Sequence, residues 1–263
     1  MDILIKNVQI NNKEYLQDVA IDKGKIAAIS KKIETDARII VEGKGNVLVS
    51  GLIDGHIHLD KAYIADRMEN KTGTLKEAIE VTAKIRQTFS ADDIRERSEK
   101  TLLNIIKFGT THIRTHVEFD SALGLMGLET ITKLKEKFKD AIDIQIVAFP
   151  QGGILKCPGT EKLLNQAIEM GADVVGGIPY IDYPSTAEHI DLVFEIAKKH
   201  NKPIDFHQDF MDDAKDLSID DLCDKTIAEG YEGRVSVRHL TALAALPDEK
   251  LEPIIHKISK AQI

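Results

Sequence analysis

The chain has 263 residues, enough for one large α/β domain or two smaller ones, and 43% of them are hydrophobic. Thirty-five basic against 43 acidic residues give a formal charge of −8, which argues against a general affinity for nucleic acid or an anionic membrane. No apolar run approaches the roughly eighteen residues of a membrane span, and the N-terminal MDILIKNVQI lacks the basic and apolar regions of a signal peptide, so a cytoplasmic location is expected. Cys157 and Cys223 are too few and too far apart for a disulfide framework or a zinc ribbon.

Residues 1–50 read as short strands and turns, DILIKNVQI, YLQDVAID, KIAAIS and ARIIVEG, separated by INNKE and DKGK. They predict a small β-sheet, half of a sandwich. From residue 51 to 263 the rhythm changes to apolar strands alternating with amphipathic helices. LVSGLIDGHIH is followed by a helix near 74–108, THIRTHVEF by one near 122–139, and IDIQIVAFP by one near 160–170. DVVGGIP is followed by a helix near 186–200, PIDFHQD by one near 218–230, and RVSVRHL by one near 247–260. The helical spacing is clear in IDLVFEIAKK, where Ile190, Val193, Phe194 and Ala197 share one face. The strands are continuous apolar runs, as in a parallel sheet covered on both faces.

Six βα units in series admit an open doubly wound sheet or a (β/α)8 barrel. No glycine-rich G-x-G-x-x-G turn follows the first strand, which lowers the dinucleotide-binding and phosphate-cradle readings. The polar residues favour the barrel. His56 and His58, His116, Gln151, His207 with Asp209, and His239 all stand at C-terminal strand ends, which converge on one pocket only in a barrel. The fold expected is therefore α/β, an incomplete (β/α)8 TIM-type barrel of six βα units over residues 51–263, preceded by the small sheet.

His56 and His58 sit at i and i+2 on a strand, hence on one face, where two neutral imidazoles supply two positions on a metal. His207 supplies a third, the number of protein ligands a catalytic site with an open position needs. His239 ends the sixth strand facing the same pocket, as a proton shuttle or as a group polarising metal-bound water. Gln151 offers a donor and an acceptor suited to the amide edge of a pyrimidine or triazine ring, and His116 is placed either on the pocket wall or behind it, orienting a metal ligand. His112, His189, His200 and His256 lie at strand starts or on helices and receive no role.

Together GLIDGHIHLDK, GTTHIRTHVEF, IDIQIVAFPQGGI, GADVVGGIP, IDFHQD and GRVSVRHLTAL resemble the amidohydrolase superfamily, in its cytosine deaminase-like and N-isopropylammelide amidohydrolase-like branch. The resemblance implies a barrel with a small sandwich built from both chain termini. It also implies one divalent ion, Zn or Fe, and hydrolytic loss of an amine from a small heterocyclic substrate. Carried over, His56, His58 and His207 match the metal ligands, His239 the water-activating histidine and Gln151 the substrate amide. GGIPYIDY contains no lysine, so the carbamylated lysine of two-metal relatives has no counterpart and one metal is expected.

Two departures from the pattern matter. Cytosine deaminases carry a glutamate three residues after the fifth-strand histidine. Here that position is Phe210, which moves the expected substrate away from cytosine; Asp209, at i+2 from His207 and so expected on its face, is the candidate carboxylate, with a shorter reach than glutamate. The last two βα units, the C-terminal sandwich strands and the metal-binding aspartate of the final strand also have no counterpart. A truncated barrel with open strand edges is therefore expected to self-associate. The alternative function is a catalytically impaired remnant that binds metal without turnover.

Overall fold

The computed structural model describes residues 1–11 and 13–263, the side chains of residues 75 and 76 excepted. Two compact units divide at Gly51 and Leu52.

The first unit, Met1–Gly51, is a four-stranded mixed sheet. Its strands are β1 (Ile3–Val8), β2 (Gln17–Asp22), β3 (Lys25–Ser30) and β4 (Ile39–Glu42), in the order β3-β2-β1-β4. β2 and β3 form a hairpin across Lys23 and Gly24, both at positive φ, the backbone that a two-residue turn between twisted strands requires. Leu4, Val8, Val19 and Ala20 are buried, whereas every residue of β3 and β4 is exposed, Ile26, Ile29 and Ile40 among them.

The second unit, Leu52–Ile263, holds β5 (Leu52–Ile57), β6 (Thr110–Glu118), β7 (Asp143–Phe149), β8 (Val174–Gly177), β9 (Ile204–Gln208) and β10 (Val235–His239). All pair in parallel and stand in chain order, the open form of a TIM-type barrel. β5 and β10 are its edges. The helices are α1 (Leu75–Arg86), α2 (Ala91–Lys107), α3 (Met126–Phe138), α4 (Thr160–Glu169), α5 (Thr186–Lys199), α6 (Ile219–Ala228) and α7 (Asp248–Lys260). The apolar face expected of α5 is buried throughout, with Ile190, Val193, Phe194 and Ala197 each at most 2% exposed. Burying such side chains contributes about 1.5–3 kcal/mol each, which fixes the helices to the sheet.

The single helix expected near 74–108 is two. Ser90 accepts the Asp93 N–H through Oγ at 3.2 Å, and Asp92 and Asp93 occupy the first turn of α2 where negative charge is favourable. Thr88 turns its hydroxyl back onto the Ile85 carbonyl at the end of α1. Apolar periodicity runs through both helices and hid the break; the capping residues mark it. The break frees α1 to lie over the C-terminal ends of the strands. Among the described residues no helix is long and apolar enough to cross a membrane.

Candidate active site

His56 lies on β5 and His58 one residue beyond its end, so the pleat sends both rings the same way and their Nε2 atoms stand 3.3 Å apart. Ring centroids of His116 on β6, His207 on β9 and His239 on β10 lie 4.6, 4.8 and 5.0 Å from that of His56. The nitrogens of His56, His207 and His239 fall within 4.8 Å of one another, and so do those of His56, His58 and His116. The ring centroid of His207 lies 5.5 Å from that of His58. His56 is thus common to two overlapping triads in one histidine cluster.

Burial, followed by the facing histidines, lowers the His56 pKa to about 4. Burial also holds His58, His207 and His239 below the ordinary histidine value. Near neutral pH these rings are uncharged and offer lone pairs. Nδ1 of His58, His116 and His207 are buried without a hydrogen-bond partner among the described residues. A set of neutral, converging imidazoles with unpartnered nitrogens fits a borderline divalent cation such as Zn or Fe. His239 ends β10 at φ 75, a conformation costly for a residue with a side chain, and the turn is held by Leu240 N–H on the Gln208 carbonyl at 3.1 Å.

A cavity of about 420 Å³ opens over these rings, walled by His58, His207 and His239, by Gln151, Gly152 and Ile178, and by Phe210. Ala78, Ile79, Thr82 and Ala83 of α1 give it an apolar wall. Lys61 and Arg86 reach the same space and both pair with Glu118, Arg86 Nε lying 2.9 Å from the carboxylate. The cavity therefore joins an apolar side, an amide and a neutralised cationic corner above the imidazoles, a size and character suited to a small ring.

One expected placement is corrected. Asp209 does not share the face of His207, because β9 ends at Gln208 and Asp209 adopts φ 43, which breaks the alternation. Its carboxylate instead accepts the N–H groups of Ser218 and Ile219 at 3.0 and 2.9 Å and the Ser218 hydroxyl at 3.1 Å, satisfying the first donors of α6. Of the two places open to His116, the pocket wall is not the one it takes: it is fully buried behind the wall, its Nε2 donating to Asp205 at 2.9 Å.

Asp205 itself escaped the sequence reading. It is fully buried and also accepts from Arg114 at 2.6 Å and from Arg238 at 2.8 Å. Burial alone would push its carboxyl up; His116 and the two arginines hold it below the usual carboxylate range. The signal was present as alternation: Asp205 precedes His207 by two residues, and Arg114 precedes His116 by two, so each pair shares a strand face.

The Amidohydrolase family model matches residues 47–258. N-isopropylammelide isopropyl amidohydrolase of Pseudomonas sp. (strain ADP) is 32% identical over 264 residues, covering 97% of this chain and 64% of that protein. The structure of 5-methylcytosine deaminase from Klebsiella pneumoniae liganded with phosphonocytosine superposes with a TM-score of 0.91 at 28% identity, over 99% of this chain and 64% of that one. N-isopropylammelide isopropylaminohydrolase from Burkholderia multivorans gives 0.89 at 31% identity, over 100% of this chain and 67% of that one. The chain spans about two thirds of the length of these relatives. With its strand-end histidines, its parallel barrel strands and a family match across most of its length, the chain belongs to the Amidohydrolase family.

Proposed function

We propose that this chain forms the metal-holding part of a hydrolase that releases ammonia or an alkylamine from a carbon of a pyrimidine- or triazine-like ring. The observation that carries the reading is the cluster of neutral histidines beneath a ring-sized cavity that also presents Gln151. His56, His58 and His207 would hold one divalent ion, Zn or Fe, which supplies Lewis acidity and lowers the pKa of water. His239, neutral near pH 7 and on the cavity wall, accepts a proton from the attacking water and returns it to the leaving amine. Gln151 orients the ring through its amide, and Ile79 and its α1 neighbours exclude water from the apolar side. The relatives whose names specify N-isopropylammelide and 5-methylcytosine support this substrate class.

The test is metal content by elemental analysis with amine release from a panel of aminated pyrimidines and triazines. About one ion per chain is expected, lost in a His56→Ala, His58→Ala, His207→Ala triple variant. Gln151→Ala lowers kcat/KM, each tenfold loss corresponding to about 1.4 kcal/mol of transition-state binding. Equal metal in the triple variant, or unchanged kinetics in Gln151→Ala, refutes the assignment.

A further inference from the structure

Beside the cavity, two fully buried side chains outside the histidine cluster form a second polar unit. Asp182 lies in the short 3-10 turn Pro179–Asp182 after β8 and is 1% exposed, and His189 on α5 is 0% exposed. The carboxylate of Asp182 accepts the backbone N–H groups of Ile154, Leu155 and Lys156 at 2.8, 3.0 and 3.0 Å. It also meets His189 Nδ1 at 2.6 Å. The other ring nitrogen, Nε2, accepts the Ile178 N–H at 3.0 Å, which leaves the proton on Nδ1 and fixes the tautomer. Gly153 stands at φ 87 where a Cβ would come within 2.4 Å of Asp182 Oδ1, so the loop reaches the carboxylate only because this residue is glycine.

Both chain segments tied by this pair are cavity walls. The loop after β7 carries Gln151 and Gly152, and Ile178 follows β8. Gln151 makes no side-chain hydrogen bond of its own among those of the described residues, so its placement depends on the loop backbone that Asp182 holds.

We propose that Asp182 and His189 are positioning residues. The pair clamps the Gln151 loop against Ile178 and so sets the distance between the Gln151 amide and the ring it reads. The consequence for substrate rests on the hydrolase reading above; the clamp itself does not.

The chain contains its own reporter. Cys157 closes the same loop, its Sγ lying 3.1 Å from the Gly152 carbonyl, whereas Cys223 is fully buried on α6. The experiment compares alkylation rates of the two thiols, read by peptide mass spectrometry, in the wild type and in Asp182→Ala, His189→Gln and His189→Asn. An Asn amide reaches where Nδ1 stands and keeps the bond to Asp182, whereas Gln does not. Asp182→Ala and His189→Gln are expected to raise Cys157 alkylation by about tenfold or more with Cys223 unchanged, and His189→Asn to stay within about threefold of wild type. An unchanged Cys157 rate in His189→Gln, or a parallel rise at both thiols, overturns the clamp, since a parallel rise reports general loosening. On an active preparation, His189→Gln should raise KM, and adding Gln151→Ala to it should cost little more; full additivity of the two refutes positioning through Gln151. If the wild type turns over no ring substrate, the hydrolase reading fails while the thiol comparison still decides the clamp.

Discussion

Asp205 and His116 form a fully buried pair, His116 Nε2 donating to Oδ1 of the carboxylate at 2.9 Å, with the guanidinium groups of Arg114 and Arg238 both on Oδ2. The pair joins β6 to β9, and Arg238 brings in β10, so one carboxylate ties three of the six strands and fixes which nitrogen of His116 carries the proton.

Removing that carboxylate leaves cationic groups without a counter-charge. Asp205→Ala is expected to destabilise the fold by about 3–5 kcal/mol, and Asp205→Asn, which keeps an acceptor, by less. Urea denaturation midpoints check this, and a loss below about 1 kcal/mol in Asp205→Ala would show that the arginines find water or other partners.

Asp209 serves α6 rather than the cavity. Asp209→Ala should cost about 1–3 kcal/mol by leaving the buried N–H groups of Ser218 and Ile219 unpaired, while metal stoichiometry remains that of the wild type. A variant of unaltered stability that has lost its metal would reinstate Asp209 as a site residue.

His189 contributes to acid stability, beside the cavity histidines whose pKa values are also lowered. Burial lowers its pKa below the ordinary 6.5 despite the facing Asp182, the charged group packed against it. The unfolded chain therefore takes up this proton first as pH falls. The contribution is complete above pH 6.5 and declines below it, by at most about 1.4 kcal/mol per pH unit for one proton. In His189→Asn the dependence of the unfolding free energy on pH should be shallower between pH 6.5 and the onset of carboxylate titration; an identical slope would mean that His189 does not titrate differently in the two states.

The β5 edge is where pairing with a second copy of this chain is expected. β5 pairs only with β6 among the described residues, and it exposes Leu52 at 56% and Ile53 at 75%. An apolar edge with unpaired N–H and C=O groups invites a second chain, so mass is expected to rise with concentration, and Ile53→Lys to reduce that rise. Sedimentation velocity measures both, and a wild-type chain monomeric at every concentration tested would remove the edge from consideration.

The alternation of βα units, the parallel order of the strands and the strand-end positions of His56, His58, Gln151, His207 and His239 were all legible in the sequence. Each depends on local periodicity: a pleat of two residues, a helical turn of about 3.6, and the rule that βα connections return in one sense. Local pattern also held the cues for the break between α1 and α2, in Ser90 and its acids, and for Asp205, through its spacing from His207. Tertiary structure alone decided the rest. Asp209 turned from cavity to helix because its backbone leaves the strand conformation at that residue, and its carboxylate bonds Ser218 and Ile219, nine and ten positions further on. His189, a helical histidine given no role from the sequence, became half of a buried pair because α5 packs where the turn after β8 brings Asp182. Arg114, Asp205 and Arg238 meet from three strands because the sheet curls. Such contacts join residues far apart in the chain, and no periodicity within a strand or helix encodes the distance between two of them.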